Sequence, residues 1–267
     1  MMNTMPAGRD SATIIRDFLR DWGTEGWTKS FDAYIHPDCV WKNTGFPDAV
    51  GKADVMALLR TMVNYYNIDI CHVELLNVAH RGTLVLTERR DTMELNDGST
   101  HLTLTMGAFE VKDGLIHYYA DYFDPTPFTD QLPAFLAAYE KERTKPRAVI
   151  ERMFDDFRTD GFEAAMERHL HPDAIWQNTG FPDAVGKPAI MALARRFLEA
   201  VPAPIGRIDI LRCAENGNVV LMERVDHVLN ADGTPSHSSH LMGLFEVEDG
   251  QIKRWSDYLN PADFPIS

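Results

Sequence analysis

The sequence predicts an α+β protein of two tandem domains, each a curved, largely antiparallel sheet wrapped around about three helices. Three observations carry this expectation. The run Asn43-Thr44-Gly45-Phe46-Pro47-Asp48-Ala49-Val50-Gly51-Lys52 returns letter for letter as Asn178 to Lys187, an offset of 135 in a chain of 267 residues. A fixed offset that large marks two copies of a whole domain rather than short solenoid repeats. Within each copy, helical periodicity comes first and strand alternation after, the element order of an α+β domain. Turn signals at Asn96-Asp97-Gly98 and Lys112-Asp113-Gly114, matched by Ala231-Asp232-Gly233 and Glu248-Asp249-Gly250, join consecutive strands as hairpins.

Each copy opens with an amphipathic helix, read from Ile14, Ile15, Phe18, Leu19 and Trp22 in the first and Val149, Ile150, Met153, Phe154 and Phe157 in the second. A second short helix ends near His36-Pro37-Asp38 or His171-Pro172-Asp173. A brief strand then carries Trp41 and Asn43, or Trp176 and Asn178, into the repeated Gly/Pro loop. A third helix follows Gly51, or starts at Pro188, a residue favoured in a first helical turn. Long strands come next, with Val85, Thr87, Arg89, Asp91 and Met93 on one face, and Val220, Met222, Arg224, Asp226 and Val228 in the second copy. A helix from Phe128 to Arg143 closes the first copy, and Lys145-Pro146 marks the handover, giving domains 1–145 and 146–267.

Composition narrows the function class. A formal charge of −14 and the lack of any Lys/Arg-rich stretch disfavour nucleic acid and anionic membrane surfaces as partners. No segment approaches the roughly 20 apolar residues of a membrane span, and no basic-then-apolar leader opens the chain, so a cytoplasmic location is expected. Cys39, Cys71 and Cys213 are odd in number and lack CxxC spacing, and are expected as reduced, buried thiols. The pairs His169/His171 and His237/His240 come without a matching carboxylate motif, so no metal is expected. No cofactor is expected either.

The copies have kept a particular polar set. Arg89 and Asp91 share one strand face about 7 Å apart, close enough for the Arg to lie between that Asp and another carboxylate. Asp121, in Tyr119-Ala120-Asp121-Tyr122, is the natural second carboxylate, and Asn43 adds an amide. The second copy offers Arg224, Asp226, Asp257 and Asn178. Two carboxylates on one guanidinium can have their pKa values pushed apart, so that one acts as base while the other holds a proton. A water held by Asn43 and Asp121 would be deprotonated as it attacks, while Asp91 protonates the departing oxygen. The bland alternatives are a structural ion network and, for Asn43 and Asn178, a cap on the following loop.

On these residues both halves resemble limonene-1,2-epoxide hydrolases, a branch of the cone-shaped fold of nuclear transport factor 2 (NTF2-like), ketosteroid isomerase and SnoaL-like cyclases. The resemblance rests on Trp41-Lys42-Asn43, Glu88-Arg89-Arg90-Asp91 and Tyr119-Ala120-Asp121-Tyr122, and on Trp176-Gln177-Asn178, Glu223-Arg224-Val225-Asp226 and Trp255-Ser256-Asp257-Tyr258. It implies Asp121 and Asp257 as bases on water, Asp91 and Asp226 as acids, and Arg89 and Arg224 as the bridges. It also implies hydrolysis of a small apolar epoxide, halves packed on each other as subunits of the single-domain family would be, and a possible further homodimer. One departure stands out: the family's first aromatic is a Tyr, and here Trp41 or Trp176 has an indole that donates but cannot accept. Trp41, Tyr119, Met56, Trp176, Trp255 and Met191 are the expected cavity wall, the two Met with a core role as the simpler reading. The same cone hosts isomerases, dehydratases, cyclases and non-catalytic modules, and these stay open.

Overall fold

The computed structural model describes residues 10–200, 205–230 and 234–260. Contacts divide the chain into two units, Met1–Arg143 and Thr144–Ser267. The first runs α1 (Ser11–Thr24), α2 (Trp27–Tyr34), β1 (Ile35–Asn43), β2 (Ala49–Val50), α3 (Lys52–Tyr65), β3 (Ile68–Arg81), β4 (Leu84–Leu95), β5 (Thr100–Lys112) and β6 (Leu115–Tyr122). A 3-10 turn at Thr126–Gln131 and α4 (Leu132–Arg143) complete it. The second runs α5 (Pro146–Thr159), α6 (Phe162–His169), β7 (Leu170–Asn178), β8 (Ala184–Val185), α7 (Lys187–Ala200), β9 (Ile205–Asn216), β10 (Val219–Leu229), β11 (Pro235–Glu248) and β12 (Gln251–Tyr258).

Each unit holds one six-stranded sheet, ordered β2-β1-β6-β5-β4-β3 and β8-β7-β12-β11-β10-β9. The hairpin-linked strands pair antiparallel, whereas β1 and β7 lie parallel to β6 and β12. That parallel pairing sets Trp41 beside Tyr119 and Asn43 beside Asp121, and likewise Trp176 beside Trp255 and Asn178 beside Asp257. Register shifts in β3 and β9 interrupt the ladder, and such bulges increase local bend and twist. Hairpin turns use left-handed residues as the sequence predicts, with φ of 51° at Asp113 and 80° at Gly114, and 51° and 76° at Asp249 and Gly250. The turn expected at Ala231-Asp232-Gly233 lies outside the described residues.

Helix α1 starts where Asp10 accepts a hydrogen bond from the Thr13 N–H at 2.9 Å, satisfying one of the orphan donors of the first turn. Its predicted apolar stripe is buried against the sheet. Phe18 sits among Trp22, Phe31, Tyr34, Phe109 and Tyr119, with ring centroids 5.1–6.4 Å away. Helix α5 carries the matching stripe, and Pro146 stands in its first turn, where a missing N–H costs nothing.

Some details differ from expectation. The strand carrying Trp41 is not brief, at nine residues, because its parallel partner extends the ladder back to Ile35. Strand β4 alternates as predicted, but β10 buries both faces from Arg224 to His227. His227 is held there by Ser238 Oγ on Nδ1 at 2.7 Å and by Asp209 on Nε2 at 2.8 Å. Cys39 and Cys71 are buried free thiols, whereas Cys213 is only half-buried. No helix among the described residues is long and apolar enough to cross a membrane.

Truncating Phe18 removes a fully enclosed ring. The substitution Phe18→Ala is expected to destabilise the first unit by about 3–5 kcal/mol and leave unfolding of the second in place. Denaturant unfolding followed by near-ultraviolet circular dichroism checks both.

Candidate active site

The Arg89 guanidinium has no solvent exposure, and every direction around it is occupied. Its Nε donates to Asp91, with both carboxylate oxygens at 2.9 Å, while Nη2 donates to Asp121 Oδ1 at 2.6 Å and to Tyr119 Oη at 3.0 Å. Tyr119 in turn donates to Asp121 Oδ2 in a short hydrogen bond, so both oxygens of Asp121 are engaged. The planar cation also lies 5.5 Å from the centre of the Trp22 ring. Alternation along β4 places Arg89 and Asp91 on the inner face, and the β5–β6 pairing brings Asp121 to them from two strands away.

The second unit repeats the arrangement with different supports. Arg224, equally buried, donates from Nε to Asp226 at 2.9 Å and from Nη2 to Asp257 Oδ2 at 2.8 Å. The Trp255 indole N–H also donates to Asp257 Oδ2, at 2.8 Å, where the first unit uses the Tyr119 hydroxyl. Asp257 Oδ1 is buried with no hydrogen-bond partner in the protein. Thr105, which hydrogen-bonds Asp91, is replaced by Leu241 opposite Arg224.

Each half must make room for its flat cation, and a glycine does so. A Cβ at Gly107 would collide with Arg89 Nη1 and come within 2.6 Å of Thr87 Oγ1 and 2.8 Å of a Phe109 ring carbon. Gly243 faces Arg224 Nη1 in the same way, with Phe245 at 2.9 Å and Asp257 Oδ1 at 3.1 Å. The two glycines occupy corresponding strands in the two copies, and each pairs across the sheet with the base candidate, Gly107 with Asp121 and Gly243 with Asp257. Their signal was available: a glycine inside a strand, away from any turn, marks a close approach of another group.

A buried set with one positive and two negative charges is one proton short of neutrality. Burial pushes both Asp91 and Asp121 up despite the attraction of Arg89, Asp121 to about 6. The carboxylates offset the burial that would strip charge from Arg89 and hold it well above its ordinary value. Burial likewise raises Asp226, with the Asp257 charge adding to it and Arg224 opposing. One carboxyl of such a pair readily holds a proton while the other stays charged.

In the first unit these groups border an open cleft. Asp91, Asp121, Asn43 and Trp41 all line it, together with Trp22, Trp27, Phe46, Met62, Tyr66 and Phe128. Asn43 Nδ2 is buried without a protein partner. Of the first unit's expected wall residues, Tyr119 and Met56 do not line this cleft. Tyr119 and Trp255 stand behind the catalytic candidates as donors to Asp121 and Asp257. Met56 and Met191 belong to the hydrophobic cores, and Met62, further along α3, reaches the cleft instead. Trp176 is buried beside Trp255, with ring centroids 5.2 Å apart, and its indole N–H has no partner. Asn178 is half-buried, more open than Asn43. His169 is committed to Asp156 at 2.7 Å, and among the described residues no His, Cys, Asp and Glu side chains gather as a metal site.

The profile of the limonene-1,2-epoxide hydrolase catalytic domain matches this chain twice, over residues 9–133 and 144–264. The chain belongs to the limonene-1,2-epoxide hydrolase family. The curated epoxide hydrolase EphG of Mycobacterium tuberculosis (strain ATCC 25618 / H37Rv) is 33% identical over 115 residues, which are 43% of this chain and 73% of that protein. A solved M. tuberculosis protein described as an LEH-like epoxide hydrolase is 29% identical, covering 48% of this chain and 92% of its own at a TM-score of 0.39. A putative SnoaL-like polyketide cyclase from Jannaschia sp. CCS1 is 15% identical, covering 47% and 97%, at a TM-score of 0.36. In this family member each catalytic-domain match contains one buried Arg between two Asp.

The close approach of glycine and guanidinium gives a direct expectation. Gly107→Ala or Gly243→Ala should lower the stability of its own unit by about 1–3 kcal/mol through overpacking. Chemical denaturation of each variant measures the loss.

Proposed function

We propose that the protein hydrolyses a hydrophobic epoxide to a vicinal diol by one-step general acid/base attack of water, without a cofactor. The observation that carries this reading is the pair of buried carboxylates held by one guanidinium at the wall of an aromatic cleft. Asp121, charged at neutral pH, takes a proton from a water oriented by Asn43. The water oxygen bonds to an epoxide carbon as that carbon's bond to the ring oxygen breaks, and Asp91 delivers its proton to the departing oxygen. Water and epoxide become the diol. The proton gained by Asp121 replaces the one lost by Asp91, so the triad's charge is unchanged and only the proton's position must be reset.

Hydrogen bonding in the first site favours this proton assignment. Asp121 accepts from a cation on one oxygen and a phenol on the other, which favours its charged form. Asp91 shares a single Arg89 N–H between its two oxygens, and its other partner is the neutral Thr105 hydroxyl, which can also accept. In the second site the corresponding positions give Asp226 as acid and Asp257 as base, although there Arg224 donates to both oxygens of Asp226. The unpartnered Asp257 Oδ1 is a ready acceptor for a water proton.

Diol formation from a panel of cyclic and terpene epoxides in ¹⁸O-water tests the proposal. Label should enter the diol, and Asp121→Asn or Asp257→Asn should slow its own site by roughly 10²–10⁴-fold, with the double variant inactive. Unlabelled product, or full activity in the double variant, would sink the mechanism. A pH profile adds a second test. With the second site silenced by Asp257→Asn, kcat/KM should fall about tenfold per unit as pH drops below the Asp121 value of about 6, because the base must be unprotonated. A flat profile down to pH 5 would remove Asp121 from that role.

A further inference from the structure

Hydrolysis as proposed uses Asp121, Asn43 and Asp91 and leaves other polar groups at the first cleft without an occupation. The indole N–H groups of Trp22, Trp27 and Trp41, Tyr66 Oη and Thr103 Oγ1 all belong to residues lining it, and all are buried without a hydrogen-bond partner. A buried donor left unpaired is expensive, and an indole N–H can be satisfied only by an acceptor. Trp22 is 1% exposed, and its ring lies 5.1 Å from that of Trp27, so the two indoles form one neighbourhood on the cleft wall.

The duplication supplies a control for mere bulk. At the offset of 135, Trp22 corresponds to Phe157 and Trp27 to Phe162, the first residues of α2 and α6 being Trp27 and Phe162. Phe157 and Phe162 pack ring to ring in the second core, with centroids 4.6 Å apart. An aromatic ring alone therefore meets the packing need at both places, and what the first copy adds is two N–H donors. Trp41 and Trp176 both leave their indole N–H unpartnered, so that feature is common to the two sites and does not distinguish them.

We infer that the first site takes an oxygenated substrate: a cyclic epoxide bearing, away from the reacting ring oxygen, a ketone or similar acceptor that the Trp22 and Trp27 indoles receive. The carbonyl oxygen has two lone pairs for the two donors, while the surrounding rings take the hydrocarbon skeleton. The second site, with Phe in both places, lacks this recognition. The inference rests on the epoxide-hydrolase reading only for the reacting group; recognition of the acceptor oxygen stands separately.

The test compares an epoxide of octahydronaphthalene with the same epoxide carrying a ketone on the far ring, in the full chain with Asp257→Asn. The ratio of kcat/KM should favour the ketone by about tenfold, and Trp22→Phe with Trp27→Phe should bring it close to one. Both replacements are residues the second half already holds in these positions. Calorimetry with decalone, a bicyclic ketone with no epoxide, should give saturable binding that the same double variant weakens about tenfold. Equal rates on the two epoxides, or a preference unchanged by the double variant, would overturn the inference. If neither epoxide is hydrolysed, the catalytic reading fails, and decalone binding alone decides: weakening by the variant upholds acceptor recognition, and unaltered or absent binding overturns it.

Discussion

Each half is organised around a guanidinium with no access to water. An isolated buried charge is untenable, so the fold must bring carboxylates to it from more than one strand and leave little freedom in how they arrive. Asp91 and Asp226 come with the Arg on the same strand face, two residues away. Asp121 and Asp257 come from a strand two places along the sheet, which fixes the register of both hairpins between them. A slip of one residue would turn every one of these groups to the other face. The glycine of the intervening strand then has to lie beneath the guanidinium, and the parallel pairing of the first strand completes the set by laying Asn43 beside Asp121 and Asn178 beside Asp257.

The copies keep this centre and vary what holds it. Tyr119 donates to Asp121 and Trp255 to Asp257, but a phenol can donate or accept whereas an indole can only donate. Asp257 is therefore held as an acceptor at one oxygen, whereas Asp121 has a partner that can exchange roles with it. On the outer face, Arg90 pairs with Glu74 at 2.9 Å, while the matching Val225 is buried and leaves its cross-strand neighbour Asp209 to His227. Such differences leave the Nε–Asp distance at 2.9 Å in both copies and the Nη2–Asp distance at 2.6 Å in the first and 2.8 Å in the second, while the second Asp226 oxygen is bonded by Nη2 rather than Nε.

Much of this was legible because it rests on short-range periodicity. Alternation along β4 put Arg89 and Asp91 on one face, and the apolar stripe of α1 named its buried residues correctly, since each is a property of one element. The second carboxylate was reachable through two tight hairpins. What sequence could not supply was depth. Tyr119 and Trp255 alternate onto the inner face with Asp121 and Asp257, which reads as cavity wall, yet they are buried and donate to those carboxylates. Met56 and Met62 sit on the same helix, and only packing decides that the second meets the cleft. His227 was invisible because its burial on the outer face depends on Asp209 and Ser238 from two other strands.

An ion network of this kind is a poor means of stabilising a domain. Replacing a buried charged triad by well-packed apolar side chains is often neutral or favourable, so drift toward an apolar core would meet little resistance if folding were the only requirement. Removing just one member, however, leaves an uncompensated charge and is strongly unfavourable, which makes the triad hard to dismantle one step at a time. That barrier explains persistence in either copy but not the surroundings. The unpartnered amide of Asn43, the free oxygen of Asp257 and the open cleft beside Asp91 and Asp121 contribute nothing to holding the cation. They are costs that a purely structural network would shed.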